Sequence, residues 1–327
     1  MSIRVENLTK HYRVYRHKGG IIASLGSLFI REYDTVKAVD DISFQIAEGE
    51  IVGFLGANGA GKTTTLKCLA GLLYPTAGKL SVLGFTPHQR TSTYLRQITL
   101  IMGQRNQLMW DLPALETFRV NQAIYDIPDN QFRQRLDELV ALLGLEALLD
   151  KQVRKLSLGE RMKCELAASL LHQPRLILLD EPTIGLDVTA QAAIRDFIRA
   201  YNQRYQATIL LTSHYMADVT ALAKRIIIID RGKLIYDGIL QNLVEQKAPY
   251  KLLKLTFNQT VEQADLVVVG EIETVDGLEA TLRVPREGIK DAAARALTTL
   301  PVADMTIEEP PIEDIIRQVF GEAAQHD

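Results

Sequence analysis

Cysteine is nearly absent: Cys68 and Cys164 are the only two in 327 residues. They show neither a pairing pattern nor metal-ligand spacing. Both fall in helical patterns, where a free cysteine is usually a small buried apolar residue. That usage suits a reducing compartment and argues against a disulfide scaffold. Also missing is any run of eighteen apolar residues, so nothing here spans a membrane by itself. The first residues lack the basic-then-apolar layout of a secretory signal. Positive charge is not in excess either. Lys and Arg number 37 against 40 Asp and Glu, for a formal charge of −3. No global basic field points to nucleic acid, and no nucleic-acid partner is expected. Internal repeats and low-complexity tracts do not stand out. What remains is ordinary globular composition, 47% hydrophobic and 24% charged, with length for two or three domains.

The stretch Gly56-Ala57-Asn58-Gly59-Ala60-Gly61-Lys62-Thr63 matches G-x-x-x-x-G-K-[ST], a phosphate-binding loop. Before it, Ile51 to Leu55 is a short apolar run with strand character. After it, Thr64 to Leu73 carries leucines at helical spacing. Glycines let the backbone curl and aim its N–H groups at phosphate oxygens. The following helix N-terminus adds partial positive charge. In such a loop Lys62 brings a full charge to the β- and γ-phosphates, and the Thr63 hydroxyl is placed to ligate Mg²⁺. Gly56, Ala57, Asn58, Gly59, Ala60, Gly61, Lys62, Thr63 and Thr64 are therefore the expected nucleotide-binding residues.

Along the chain, Ile3 to Leu8 reads as a strand closed by Thr9 to Tyr12. Residues 13–36 begin basic, turn at Gly19-Gly20, and then place Ile21, Ile22, Leu25, Leu28 and Phe29 on one helical face. Strands are expected at Val36 to Ile46, Leu80 to Val82 and Ile98 to Met102. From about 112 to 172 the period turns helical, including Gln131 to Leu143 with Gly144 as its stop, and Gly159 to His172 before Pro174. Strands and helices then alternate: Leu176 to Leu179, Thr189 to Tyr205, Ala207 to Leu211, and Arg225 to Asp230. This alternation argues a parallel α/β sheet carrying an inserted helical block. Beyond Pro249, a strand Tyr250 to Phe257, a hairpin of Leu266 to Ile272 with Leu278 to Val284 across Asp276-Gly277, and helices Glu287 to Leu300 and Pro310 to Phe320 suggest a small α+β domain, in the ferredoxin-like manner.

Leu176 to Leu179 ends in Asp180-Glu181. A buried strand would hold Asp180 rigidly beside the phosphate loop for Mg²⁺, with Glu181 placed as general base for the attacking water. Just upstream, Leu156-Ser157-Leu158-Gly159-Glu160 resembles the signature of ATP-binding-cassette (ABC) ATPases, usually L-S-G-G-Q. The order phosphate loop, Gln104, signature, Asp180-Glu181, Gly185-Leu186-Asp187 and His214 is that family's order, and the match covers residues 1 to about 245. The resemblance implies a P-loop NTPase fold, a RecA-like α/β core with an antiparallel β subdomain and a helical subdomain of about 105–172. Domain limits are set at 1–246 and 250–327, the second left open between a regulatory, a dimerising and a partner-docking role.

It also implies roles. Gln104 ligates Mg²⁺ or water and reports the γ-phosphate. Ser157 and Gly159 reach across a dimer to the other subunit's ATP, and Asp187 acts across the same interface. His214 contacts the γ-phosphate, and Tyr12 stacks on adenine, with Tyr15 and Tyr33 as competitors. The signature departs at Leu158 and at Glu160, whose charge should point away from phosphate or pair with Arg161. Residues 102–113, with Leu28 to Tyr33 and Ala38 to Phe44, resemble bacterial ABC ATPases paired with separately encoded ABC-2-type membrane subunits, and ATPases of polysaccharide and teichoic-acid exporters. The implied partners are a second copy or a homologous ATPase subunit, and separately encoded integral membrane permease subunits; the implied location of this chain is peripheral, at the cytoplasmic face of the inner membrane. Residues 105–112 are the coupling-surface candidates. Trp110 is open between docking anchor and core. The 21–30 segment is open between packing on its own domain and contact with partner or lipid. Alternatives are a soluble ABC ATPase acting on ribosome or DNA, though two cassettes per chain or long coiled coils are missing, and an importer ATPase.

Overall fold

The computed structural model describes residues 1–15 and 33–325; the amphipathic 21–30 segment lies outside them. The described residues form two compact units, Met1–Gly238 and Ile239–Asp327. The sequence placed the break some residues later. Helix Leu240–Lys247 belongs to the second unit.

In the first unit, strands β1 (Ile3–Tyr15), β2 (Tyr33–Ile46), β3 (Ile51–Leu55), β4 (Ala77–Val82), β5 (Ile98–Met102), β6 (Leu176–Asp180), β7 (Thr208–Thr212), β8 (Arg225–Asp230) and β9 (Lys233–Ile239) form two sheets. The first is antiparallel, in the order β2-β1-β4. The second has six strands, β5-β6-β7-β3-β8-β9, and its pairs from β5 to β8 are parallel. Helices α1 (Lys62–Leu69), α2 (Ser92–Leu95), α3 (Ala114–Ile124), α4 (Asp129–Leu143), α5 (Leu158–Leu170), α6 (Val188–Tyr205) and α7 (Met216–Leu222) connect them. This is an α/β P-loop architecture with an antiparallel subdomain and an inserted helical block.

Residues of β6 are buried on both faces, as expected for a covered parallel strand. Ile177 and Leu179 pack with Phe118, Leu139, Leu166 and Phe197 of the helical side. Leu176 and Leu178 pack with Leu66 of α1 and with Ile3, Phe44 and Val82 of the antiparallel sheet. One sheet thus sits between two cores. Gly144 ends α4 in the left-handed conformation (φ 64), the stop its position in the sequence suggested. Strand β1 does not close at Thr9–Tyr12. It runs on to Tyr15, because residues 10–15 pair with 33–39 of β2, a ladder that local reading of Thr9 and Lys10 could not supply.

The second unit comprises α8 (Leu240–Lys247), β10 (Tyr250–Phe257), α9 (Gln263–Val267), β11 (Glu271–Asp276), β12 (Glu279–Pro285), α10 (Ile289–Thr299), β13 (Val302–Glu308) and α11 (Ile312–Gln325). Its antiparallel sheet has the order β11-β12-β10-β13. From β10 to β13 the element order is β-α-β-β-α-β, a split β-α-β arrangement. The expected strand starting at Leu266 is instead a helical turn. Leu266 and Val269 are buried while Val267 and Val268 are 64% and 62% exposed. That is i, i+3 spacing rather than alternation, and the strand begins only at Glu271.

Candidate active site

The β3, β5, β6 and β7 strands run in the same direction, so their carboxyl ends open at one edge of the sheet, where open α/β folds bind ligands. The phosphate loop leaves β3 there. Gly61 has φ 107, and a Cβ on it would meet the Ala38 carbonyl oxygen at 2.3 Å. Only glycine fits both constraints. Lys62 Nζ donates to the carbonyls of Gly56 (2.6 Å) and Ala57 (3.2 Å). Burial lowers the Lys62 pKa, against the opposing pull of Glu181 and Asp180.

Asp180 ends β6, paired in register with Met102 and Thr212. Its Oδ2 accepts from Thr63 Oγ1 at 2.8 Å and its Oδ1 from Thr212 Oγ1 at 2.8 Å. Glu181 follows with φ 55, a conformation uncommon outside glycine. Its N–H donates to Thr212 O and Oγ1, both at 3.1 Å. Its Oε1 lies 2.8 Å from His214 Nε2. Two adjoining depressions meet here. One, of about 220 Å³, is lined by Thr63, Lys67, Met102, Gln104, Arg105, Asp180 and Glu181. The other, of about 150 Å³, is lined by Ala38, Ala57, Asn58, Gly59, Gly61, Lys62, Thr63, Thr64 and Glu181. Backbone N–H groups and a lysine suit an anion. Thr63, Asp180 and Gln104 are an all-oxygen set suited to a hard cation.

The structure thus gathers the phosphate loop, Gln104, Asp180, Glu181 and His214. Tyr12, Ser157, Gly159 and Asp187 line neither depression. Tyr12 pairs with Val36 across the β1–β2 ribbon, two residues from the register shift at Lys10/His11 that leaves Ala38 unpaired. Tyr33 is exposed. Ser157 caps α5 in a capping box: its Oγ accepts from Glu160 N (3.2 Å), and its own N–H donates to Glu160 Oε2 (2.8 Å). Of the two courses expected for Glu160, pairing with Arg161 is not the one taken. Glu160 turns back on the helix end near Lys151 (3.8 Å), and the Arg161 guanidinium lies 5.6 Å from the Trp110 ring centroid. Leu158 packs against the core that includes Leu186, which accounts for an apolar side chain at that signature position. Asp187 caps α6 through Ala190 N (2.9 Å). Trp110 is 50% exposed, so it is not a core residue.

Sequence reading passed over three participants. A Cβ on Gly103 would meet the Glu181 carbonyl oxygen at 2.0 Å, so this glycine lets the Gln104 segment lie against the Glu181 backbone. Thr212 binds both Asp180 and the Glu181 N–H. Asp218, in α7, binds Thr183 and Ser213. The available signal was Thr212-Ser213 closing a buried strand beside a carboxylate.

Fold and site define a P-loop nucleoside triphosphatase. A family model described as "ABC transporter" matches residues 39–184, and one described as "EvrA-like ABC transporter, C-terminal domain" matches residues 249–308. The chain is 38% identical over 212 residues to the ABC transporter ATP-binding protein NatA of Bacillus subtilis, covering 65% of this chain and 86% of that protein. It is 33% identical to the bacitracin transport ATP-binding protein BcrA of Bacillus licheniformis, covering 68% of this chain and 72% of that protein. It is 29% identical over 303 residues to the daunorubicin/doxorubicin resistance ATP-binding protein DrrA of Streptomyces peucetius, covering 90% and 91% of the two. Among solved structures, the ATP-binding subunit of an ABC transporter matches with TM-score 0.61 at 27% identity, covering 75% of this chain and 93% of that one. A dimeric ATP-binding cassette bound to ADP and phosphate shares the fold, with TM-score 0.60 at 24% identity, over 72% of this chain and 98% of that one. The chain belongs to the ABC transporter family of ATP-binding proteins. It binds and hydrolyses ATP. No helix among the described residues is long and apolar enough to cross a membrane.

Proposed function

We propose that this chain is the motor subunit of an ABC-2-type exporter, peripheral at the cytoplasmic face of the inner membrane. Two ATPase subunits close on two ATPs and push on separately encoded permease subunits. The observation that carries the hydrolytic reading is the Glu181–His214 pair, 2.8 Å apart, beside Lys62 and the Thr63–Asp180 bond. Support for export comes from relatives named for bacitracin transport and drug resistance.

In this reading the phosphate loop N–H groups and Lys62 hold the β- and γ-phosphates. Glu181 takes a proton from water as its oxygen attacks the γ-phosphorus. The bond to the β–γ bridging oxygen breaks, its electron pair leaves with ADP, and inorganic phosphate forms. His214 orients the water and touches the γ-phosphate. The oxygen donors Thr63, Asp180 and Gln104 fit Mg²⁺, which when bound neutralises charge on the β- and γ-phosphates. Ser157 and Gly159 are exposed or half-buried at the start of α5 and outside both depressions, in keeping with service to the ATP of a second subunit across the dimer. Asp187 lies at that interface, and Tyr12 stacks on adenine. Residues 105–112 dock the permease, with half-exposed Trp110 as anchor. Within the second unit, residues 250–327 make up a ferredoxin-like regulatory or dimerising domain.

Glu181→Gln should keep ATP affinity and lose on the order of 10²- to 10⁴-fold in turnover, the usual contribution of a general base. Wild-type turnover in that variant would remove Glu181 from its role. Affinity purification from detergent-solubilised membranes should recover a multi-span protein. Recovery with ribosomal or DNA-associated partners alone would sink the exporter.

A further inference from the structure

The exits of β6 and β7 carry the two groups that must meet. Within the strands, Asp180 and Thr212 are held in register. Beyond them the ladder ends; the Glu181 N–H still holds to Thr212, and the chain that follows Glu181 and flanks His214 needs a further restraint. The structure supplies one at Asp218, which is 1% exposed. Its Oδ2 accepts from Ser213 Oγ at 2.8 Å and also from the Thr183 hydroxyl. Ser213 immediately precedes His214; Thr183 lies two residues beyond Glu181. The other oxygen, Oδ1, accepts from Arg195 Nη1 at 2.8 Å. Arg195 stands on α6, the helix that Asp187 caps. Ser213 Oγ in turn accepts from Tyr215 N (3.0 Å), fixing the backbone on the far side of His214.

We propose that Asp218 is a positioning residue for hydrolysis. One carboxylate oxygen clamps the segments carrying Glu181 and His214 through Thr183 and Ser213. The other ties that clamp to α6 through Arg195. A pairing of α6 with α7 alone would need only the Arg195–Asp218 bond. The two hydroxyls add nothing to such a strut, yet both come from the chain directly beside the reacting groups. A buried carboxylate must have its oxygens satisfied, and here Oδ2 is satisfied by two hydroxyls from the chain beside Glu181 and His214. The inference rests on the roles proposed above for those two residues.

The clamp and the tie can be separated by substitution. Thr183→Val and Ser213→Ala remove one hydroxyl each with little change in volume. Asp218→Asn keeps an acceptor for the hydroxyls and turns an amide toward Arg195. The assay is steady-state ATP hydrolysis by the full chain, with kcat and KM resolved, ATP affinity measured separately, and melting temperature recorded. Misplacement by about 1 Å can cost on the order of 10²-fold, so Thr183→Val and Ser213→Ala should lower kcat by about 10- to 100-fold with KM and ATP affinity nearly unchanged. Thr183→Ser, which retains the hydroxyl, should restore most of the rate. In a Glu181→Gln background the same changes should add no further loss, because residues acting as one unit are not additive. A lowered melting temperature with wild-type kcat would reduce Asp218 to a structural strut and overturn the proposal. Full additivity with Glu181→Gln would overturn it too. If Glu181→Gln itself retained turnover, the hydrolytic reading would fail, a result distinct from loss of the clamp alone.

Discussion

Glu165 is a carboxylate shut away outside the phosphate site. It is 2% exposed, its Oε1 accepts from Gln107 N at 3.2 Å, and its Oε2 has no hydrogen-bond partner among the described residues. Burial pushes its pKa up to about 7, from an ordinary value of 4.5. The sign follows from linkage. Below pH 4.5 the carboxyl is protonated in folded and unfolded chains alike. Between 4.5 and 7 the folded chain still holds a proton that the unfolded chain has released, so stability falls as pH rises through this window. The loss levels off above pH 7, on the order of 3 kcal/mol. Glu165→Gln should flatten the melting profile between pH 5 and 8.5, gaining on wild type toward the alkaline side. Parallel profiles would show that Glu165 does not titrate there. None of this was visible in the sequence. A glutamate in the middle of an amphipathic helix reads as solvated until tertiary packing places it under the Gln107 segment.

At the scale of elements, the start of α5 shows a local rule prevailing over a charge argument. Ser157-Leu158-Gly159-Glu160 is a capping-box sequence. Thinking only of phosphate, one expects Glu160 to seek a cation. The helix end offers it a backbone N–H three residues away, and that closer partner wins. Glu160→Ala should therefore destabilise the chain by about 1 kcal/mol, read from the denaturant midpoint, whereas Glu160→Gln should keep most of the cap. Equal stability for Glu160→Ala would mean the box contributes nothing. Elements with strong periodicity or punctuation, such as β5, β10 and α4 with its Gly144 cap, were legible. The extension of β1 was not, because its partner lies across an intervening segment. Nor was the helical turn α9: Leu266-Val267-Val268-Val269 has the composition of a strand, and only which two of the four face the core decides the matter. That Lys62, Thr63, Asp180 and Glu181 lie together was legible in their motifs. The site was not legible where support comes from a fold-dependent neighbour, at Gly103, Thr212 and Asp218.

The whole molecule holds its two thiols in its interior. Cys68 and Cys164 are both buried, and burial raises their pKa to about 11 and about 12 respectively. Thiolate is the reactive form, so the native protein should give almost no colour with a disulfide reagent at pH 7 over an hour, and two equivalents once denatured. Rapid reaction of the native chain would mean that a helix opens far more readily than its packing allows. The chain is thus already a blank background for site-specific chemistry. A single cysteine placed at exposed Val188, next to the Asp187 cap, could carry a fluorophore or spin label without removal of either native thiol, and the distance between the labels of two copies would test the closure of two subunits proposed above.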